Sequence, residues 1–232
     1  MATRAEYFAR WSALHGGYDP ASSPYVSGWL TVVHSLARPF VALRVPPWAV
    51  SLLGLLLSGA AVPAAVAGGG WLWLAALLLL LSGLADGVDG AVAVQTGRAS
   101  AGGYVLDSVV DRGSDLLALV VLWQVGAPAG VCVAAGAATF LLEYMRARAT
   151  AAGMSDVGVV TVAERPARVV LTVAVLVGAA VTDGHLLRST PGGQWWATLG
   201  AWVWLGLGTV ALVQLSVVVR ARLAGRTPPG TG

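Results

Sequence analysis

Residues 86–111 of this chain read DGVDGAVAVQTGRASAGGYVLDSVVD, and they place four aspartates inside two of its most apolar segments. A carboxylate at the centre of a bilayer-spanning helix is unfavourable by about 2.5 to 3.5 kcal/mol, so four would approach about 10 kcal/mol. Asp86 and Asp89 are three residues apart and Asp107 and Asp111 are four apart, so each pair projects from one face of its own helix. The pattern predicts a pocket of carboxylate oxygens that binds divalent cations.

The composition indicates a membrane protein. Hydrophobic residues make up 57% of the chain and charged residues 11%, whereas about a quarter of the residues are charged in an ordinary soluble domain. Arg4, Glu6, Arg10 and Asp19 leave no apolar run at the N-terminus, which does not fit a cleaved secretory signal. Cys132 is the single cysteine, so an intrachain disulfide and a thiolate metal cluster are both excluded. Nothing in the composition indicates nucleic-acid binding.

Six apolar stretches are long enough to cross a bilayer, for which about 20 residues are needed. They lie at residues 48–67, 71–94, 103–125, 127–146, 166–181 and 195–219. Within the fifth stretch the uninterrupted apolar run covers only 169–181, a length that also suits a buried or interfacial segment. We therefore predict an all-α integral membrane fold with six transmembrane helices, the fifth being the least clear from length alone.

The N-terminal part of the chain is harder to place, because His34, Arg38 and Pro39 interrupt an apolar segment at 24–45. This pattern favours an interfacial amphipathic helix, and a seventh span is the alternative. We divide the chain into a cytoplasmic or interfacial N-terminal segment (1–45), a six-helix membrane domain that holds the site (46–223) and a flexible C-terminal tail (224–232).

The arginines predict the orientation of the chain, since all fourteen of its basic residues are arginine. The turns at 68–70 and near Gly126 contain none, and Arg188 is the one arginine expected outside. Seven arginines lie on the opposite side: Arg146, Arg148, Arg165, Arg168, Arg220, Arg222 and Arg226. By the positive-inside rule, both termini of this multi-pass protein of the cell membrane face the cytoplasm. Asp86 lies about 22 Å along a helix from Trp71, so the aspartates face the cytoplasm too.

The aspartate run resembles the signature of the CDP-alcohol phosphatidyltransferase family. That signature reads Asp-x-x-Asp-Gly-x-x-Ala-Arg, eight residues, Gly, three residues, Asp, three residues, Asp. The matching positions in this chain are Asp86, Asp89, Gly90, Ala93, Gly103, Asp107 and Asp111. One position differs, because the family's arginine falls at Val94. Arg98 or Gln95 would then have to take its place.

The resemblance implies an enzyme that transfers a phosphatidyl group from a CDP-lipid, usually CDP-diacylglycerol, to an alcohol and releases CMP. It implies two Mg²⁺ or Mn²⁺ ions, with Asp86, Asp89, Asp107 and Asp111 as their ligands. Asp111 would also be the base that takes the proton of the acceptor hydroxyl. Gly90, Ala93, Gly103 and Arg98 would contact the nucleotide. The resemblance further implies a homodimer.

A second cluster suggests the acceptor. The segments YMRARA and ERPAR bring Arg146, Arg148, Arg165 and Arg168 to the predicted cytoplasmic side. Arginine forks suit phosphate, although arginines at these places also set topology. Both segments are similar to the corresponding region of actinobacterial phosphatidylinositol phosphate synthases, which implies inositol phosphate as the acceptor. Glycerol 3-phosphate is the close alternative, because one arginine cluster would serve either alcohol.

Two hypotheses of other classes use the same residues. A cation transporter could be built on these carboxylates, but transport sites usually lie near the midplane between repeated halves, and here the acids cluster at one end. The departure at Val94 suggests another alternative, a degenerate relative that binds a CDP-lipid without turning it over.

Overall fold

The computed structural model describes residues 3–14, 17–154, 161–183 and 191–224. Every regular element in these ranges is helical, which confirms the all-α prediction. The α-helices are α1 (Arg4–Leu14), α2 (Pro24–Ala42), α3 (Pro47–Ala67), α4 (Trp71–Thr96), α5 (Ala101–Val125), α6 (Ala129–Ala151), α7 (Arg165–Asp183) and α8 (Pro191–Leu223). A short 3₁₀ turn, Pro20–Ser22, precedes α2. Arg188, Arg226 and the predicted tail from residue 225 onward lie outside the described residues.

Four of these helices are long and apolar enough to cross a membrane. They are Pro47–Ala67, Trp71–Thr96, Arg165–Thr182 and Gly192–Leu223. The third of them covers the weakest predicted span, so the length of α7 favours a span there. The other two predicted spans coincide with α5 and α6, which include charged residues such as Asp107, Asp111 and Glu143. The chain is thus an all-helical, membrane-type protein, and six spans remain a prediction.

The N-terminal segment forms two helices. Helix α2 lies where the interfacial helix was predicted and continues past Pro39 to Ala42, while α1 was not predicted because its sequence has no apolar run. Helix α1 nevertheless has a buried face, on which the Tyr7 side chain is 1% exposed. Burial raises the pKa of the Tyr7 hydroxyl to about 12. The location of α2 at the membrane surface stays a prediction.

A short connection joins α4 and α5, the two helices that carry the aspartates. Helix α4 ends in a Schellman motif, in which Gly97 has φ +66° and the Arg98 N–H donates to the Ala93 carbonyl at 2.9 Å. A residue with a Cβ would be strained at this φ. Helix α5 begins just after Ser100, whose Oγ accepts the Gly103 N–H at 3.1 Å, as an N-cap does. These two caps fix the end of α4 and the start of α5, and therefore the position of each aspartate pair relative to those helix ends.

The described residues fall into two compact units, one within Met1–Gly59 and Leu80–Ser114 and the other within Ala60–Leu79 and Asp115–Gly232. The core of the first unit includes Tyr7, Leu30, Val33, Val50 and Val92. The core of the second is rich in alanine, with Ala61, Ala64, Ala75, Ala118, Ala135, Ala179, Ala197 and Ala201 around Leu122, Leu176 and Trp204. Small residues let membrane helices approach closely, so van der Waals contact can hold them together.

Candidate active site

Three of the four predicted metal-binding aspartates lie together in the first unit. Ligand oxygens of Asp86 on α4 and of Asp107 and Asp111 on α5 are all within 4.8 Å of one another. These side chains are partly buried, and the Arg112 guanidinium lies 3.9 Å from the Asp111 carboxylate. Three clustered carboxylates form a hard, all-oxygen donor set of the kind that Mg²⁺ and Mn²⁺ prefer. We call this group the aspartate site.

The fourth aspartate, Asp89, has a partner that the sequence did not indicate. Asp89 is buried, with 5% of its surface exposed. Its Oδ2 accepts a short hydrogen bond from the Ser51 hydroxyl on α3, and Ser51 is also buried. The two residues are 38 positions apart, so no local spacing could have revealed the contact. The Ser51 hydroxyl fixes the rotamer of the Asp89 carboxylate, one helical turn from Asp86.

The predicted nucleotide-binding positions surround the end of α4. A Cβ at Gly90 would meet open space, whereas one at Gly103 would lie 3.2 Å from the Ser100 Oγ. Ala93 is partly buried and Arg98 is exposed. Space beside Gly90 is what a bound ligand would need.

Val94, which stands where the family signature has an arginine, lies in a buried part of the first unit. Val94 is buried in the apolar core of the first unit. Gln95 is buried too, and its amide donates to the His34 carbonyl at 3.4 Å. The arginine that reaches this point is Arg10 of α1, whose Nη1 donates to the Gln95 carbonyl at 3.1 Å and to the Val94 carbonyl at 3.5 Å. Arg10 thus satisfies carbonyls at the C-terminus of α4, where a cation is also favoured by the helix dipole.

The arginine cluster, which comprises Arg146, Arg148, Arg165 and Arg168, belongs to the second unit. Arg146 of α6 donates to Glu164 at 2.9 Å and to Glu143 at 3.2 Å. Glu164 in turn accepts the Thr161 N–H and the Thr161 hydroxyl, each at 2.9 Å. Burial alone would raise the pKa of Glu164, but the Thr161 backbone N–H, the charge of Arg146 and the Thr161 hydroxyl hold that pKa below its ordinary value. Glu164 is therefore ionised at neutral pH and bound to Arg146.

Arg168 is held by several hydrogen bonds within the second unit. Its Nε and Nη2 donate to the two oxygens of Asp115 at 3.2 and 3.0 Å, and its Nη1 donates to the Ala163 carbonyl. The side chain is 2% exposed. Arg165 is also buried, while Arg148 is exposed near the end of α6. The sequence grouped the four arginines together, but the structure gives them different environments. Arg165 and Arg168 are buried, Arg146 is partly buried and Arg148 is exposed.

Two residues near these sites, Ser51 and Glu164, escaped the sequence analysis. Asp115 was expected to pair with Arg112, and the structure shows it bonded to Arg168. Asp115 reads as one more carboxylate on the face of Asp107 and Asp111, and its partner Arg168 is 53 positions away. Glu164 directly precedes Arg165 in the sequence, and that adjacency is the one local signal that could have drawn attention to it. Ser51 gives no signal, because a serine in an apolar helix more often bonds its own backbone.

Comparison with known proteins identifies the family. A sequence model of the CDP-alcohol phosphatidyltransferase family matches residues 44–210. The archaetidylinositol phosphate synthase of Aeropyrum pernix is 34% identical over 133 residues, which cover 53% of this chain and 69% of that protein. The phosphatidylinositol phosphate synthase of Cutibacterium acnes is 32% identical over 148 residues, which cover 60% of this chain and 70% of that protein.

Solved structures agree with this match. The crystal structure of Mycobacterium tuberculosis phosphatidylinositol phosphate synthase with CDP-DAG bound superposes with a TM-score of 0.63 at 26% identity, covering 86% of this chain and 96% of that one. The structure of the same enzyme with manganese and citrate gives a TM-score of 0.61 at 26% identity, covering 85% and 90%. The aspartate site, the family match and the shared fold lead to one conclusion. The chain belongs to the CDP-alcohol phosphatidyltransferase family, and it is a phosphatidyl transferase of phospholipid synthesis.

Proposed function

We propose that the protein transfers the phosphatidyl group of CDP-diacylglycerol to a hydroxyl of inositol phosphate and releases CMP. The observation that supports this most strongly is the aspartate site, in which Asp86, Asp107 and Asp111 lie within 4.8 Å of one another at the spacing of the family signature. Relatives named as inositol phosphate synthases support the acceptor. The M. tuberculosis enzyme, solved with CDP-DAG, supports the donor.

The aspartate site fits divalent cations. Its donor set is oxygen only, and manganese is present in a structure of the M. tuberculosis enzyme. We infer that Asp86, Asp89, Asp107 and Asp111 together hold two Mg²⁺ or Mn²⁺ ions. When bound, such ions neutralise the pyrophosphate of the donor and stabilise the charge of the departing CMP. The hydrogen bond from Ser51 leaves Asp89 one oxygen, Oδ1, outside that contact.

Asp111 is the proposed base. In the reaction, the acceptor oxygen forms a bond to the lipid-side phosphorus, and the bond from that phosphorus to the CMP oxygen breaks. The proton of the acceptor hydroxyl passes to the Asp111 carboxylate, and the electron pair of the broken bond leaves with CMP. Asp111 lies about three turns into α5, four residues beyond Asp107, so its carboxylate is held on a rigid element.

The nucleotide contacts are proposed at the junction of α4 and α5. The open space beside Gly90 would let a ligand approach the α4 backbone without meeting a Cβ. Ala93 lies on the same helix, Arg98 lies in the connection between the two helices, and Gly103 lies in the first turn of α5. The exposed Arg98 guanidinium is a suitable partner for a pyrophosphate oxygen.

The acceptor's phosphate is proposed to bind the arginine cluster. Arg165 is buried and Arg146 is partly buried. Shielding from solvent strengthens the hydrogen bonds that an arginine forms to a dianion. The exposed Arg148 adds positive charge on the same helix as Arg146. An alcohol that bears its own phosphate is therefore favoured over a neutral one such as free inositol or glycerol.

The setting is proposed from the arginine distribution. By the positive-inside rule, the arginines near the end of α6, at the start of α7 and at the end of α8 support an orientation with the active site and both termini in the cytoplasm and the spans in the cell membrane. The family resemblance implies a homodimer. Protease accessibility in inverted vesicles and the mass of the detergent-solubilised protein would test these two inferences.

The proposed reaction is tested by CMP release from purified protein in detergent. CDP-diacylglycerol and Mg²⁺ are supplied with inositol phosphate, glycerol 3-phosphate, serine, free inositol or no acceptor. We expect release with inositol phosphate and formation of phosphatidylinositol phosphate by mass spectrometry. Release with glycerol 3-phosphate alone would reassign the acceptor and keep the transferase. Silence with every acceptor, with CDP-lipid still bound, would favour the degenerate alternative.

A further inference from the structure

We infer that Asp115 and Arg168 are positioning residues for the acceptor site and that Arg168 does not bind the acceptor itself. This inference rests on the proposed function, because it concerns how the arginine cluster is presented to a phosphorylated alcohol. It also separates the four arginines, which sequence similarity groups together, into binding and positioning members.

The Arg168 guanidinium is held by hydrogen bonds to other groups of the protein. Each of its three nitrogens donates a hydrogen bond, Nε and Nη2 to Asp115 and Nη1 to the Ala163 carbonyl. The fork-to-carboxylate geometry is the bidentate arrangement that arginine forms best. With 2% of its surface exposed, Arg168 presents almost no area to a soluble ligand. A phosphate could reach it only by displacing a buried carboxylate.

The same contacts fix the turn before α7. Ala163 directly precedes Glu164, and the Glu164 carbonyl accepts the N–H groups of Ala167 and Arg168 at 3.0 and 3.3 Å, so it starts the helix. The bond from Arg168 to Ala163 ties this turn to the first turn of α7. The bonds to Asp115 tie α7 to α5. The ion pair between Asp115 and Arg168 thus helps to hold residues 161–164, where the Val162 N–H also donates to the Gln214 Oε1 at 3.4 Å.

The turn then determines where Arg146 lies. The Glu164 carboxylate accepts hydrogen bonds from Thr161 and from Arg146 Nη2, each at 2.9 Å. A displaced turn would move Glu164 and release Arg146, which is also bound to Glu143 at 3.2 Å. Arg165, directly after Glu164, would move with it. Asp115 and Arg168 therefore act on the acceptor through Arg146 and Arg165.

A positioning role and a binding role predict different results for paired substitutions. Asp115→Asn leaves a buried guanidinium short of its counter-charge, and Arg168→Gln leaves a buried carboxylate short of its own. The double variant Asp115→Asn/Arg168→Gln removes both charges, and the two amides can still form a hydrogen bond. If Arg168 only positions the turn, the double variant should recover much of what either single variant loses.

The experiment measures the KM for the acceptor, the KM for CDP-diacylglycerol and kcat in CMP release, with inositol phosphate as the acceptor. We expect each single variant to raise the KM for the acceptor by about tenfold and to leave the donor KM within about twofold. The double variant should return to within about threefold of the wild type. Arg165→Gln serves as the binding comparison, and Arg220→Gln, an exposed arginine at the end of α8, as the control.

Three results would overturn the inference. A double variant as impaired as Arg168→Gln would show that Arg168 contacts the phosphate directly. A loss of kcat and of thermal stability with an unchanged acceptor KM would show a merely structural ion pair. An Asp115→Asn variant with wild-type kinetics would show that the pair positions nothing. If the single variants do not fold, the double variant and Arg168→Lys decide. Lysine keeps the charge but loses the fork, so a positioning role predicts a raised acceptor KM for Arg168→Lys and a nearly normal acceptor KM for the double variant.

The inference and the proposed function fail in different ways. If the wild type releases no CMP with any phosphorylated alcohol, the proposed function is wrong before any variant is compared. If the wild type is active and the paired variants do not show the rescue, only the positioning role is wrong.

Discussion

The aspartate site and the arginine cluster differ in how far the sequence determines them. The aspartates project from two helices joined by a short connection, so a spacing of three or four residues within each helix already brings their carboxylates to one place. The arginines lie on two helices, and hydrogen-bond partners far along the chain determine the environments of Arg146 and Arg168. Local spacing thus identifies the aspartate site, whereas the environment of each arginine depends on tertiary contacts.

The largest expected effect is at the aspartate site. Asp111→Asn removes the proposed base and keeps the size of the side chain, so kcat should fall by about 10² to 10⁴-fold. Binding of CDP-diacylglycerol, measured by isothermal titration, should remain. Loss of donor binding together with kcat would instead assign Asp111 to retention of the metal, and an active variant would remove it from the mechanism.

At the arginine cluster the expected effect is smaller and falls on one substrate. Arg165→Gln should raise the KM for inositol phosphate by about tenfold or more, the worth of a charged hydrogen bond, with little change in the KM for the donor. Steady-state kinetics with each substrate varied in turn give both constants. Equal effects on both would break the division between a donor region and an acceptor region. Arg220→Gln is the matched control.

A third test concerns Ser51 of α3, the hydrogen-bond partner of Asp89, which is the fourth proposed metal ligand. Ser51→Ala removes the hydrogen bond to Asp89, so the carboxylate loses its fixed orientation and the affinity for Mn²⁺ should fall by about tenfold. Electron paramagnetic resonance of free Mn²⁺ measures this without turnover. Ser58→Ala is the control, because Ser58 lies on the same helix, is also buried and bonds Ser82 at 2.7 Å. Similar losses in both variants would indicate general loosening of α3.

The smallest expected effect is at Arg10. Arg10→Gln should lower the free energy of unfolding by about 1 kcal/mol, since it removes the hydrogen bonds to the carbonyls at the end of α4. Thermal or denaturant unfolding in detergent measures the change, with the exposed Arg38→Gln as control. A large loss of CMP release without a loss of stability would instead make Arg10 the functional replacement for the arginine missing at Val94.

Particular residues show how much the sequence could predict. The all-helical membrane-type fold followed from apolar length, and the cluster of Asp86, Asp107 and Asp111 followed from helical spacing. Helix α1 was missed because its buried face depends on packing around Tyr7 and not on an apolar run. The partners of Asp89 and Arg168 were missed because these contacts span 38 and 53 positions. Helical periodicity describes neighbours on one helix and says nothing about which helices pack together.

The most direct test of the central claim is CMP release as a function of Mn²⁺ concentration, with CDP-diacylglycerol and inositol phosphate, for the wild type and Asp107→Asn. The account predicts that wild-type release rises from zero to saturation as Mn²⁺ is added, and that the variant releases no CMP at any Mn²⁺ concentration. Release without metal, or equal activity of the two proteins, would contradict the claim that the aspartate site performs the phosphatidyl transfer.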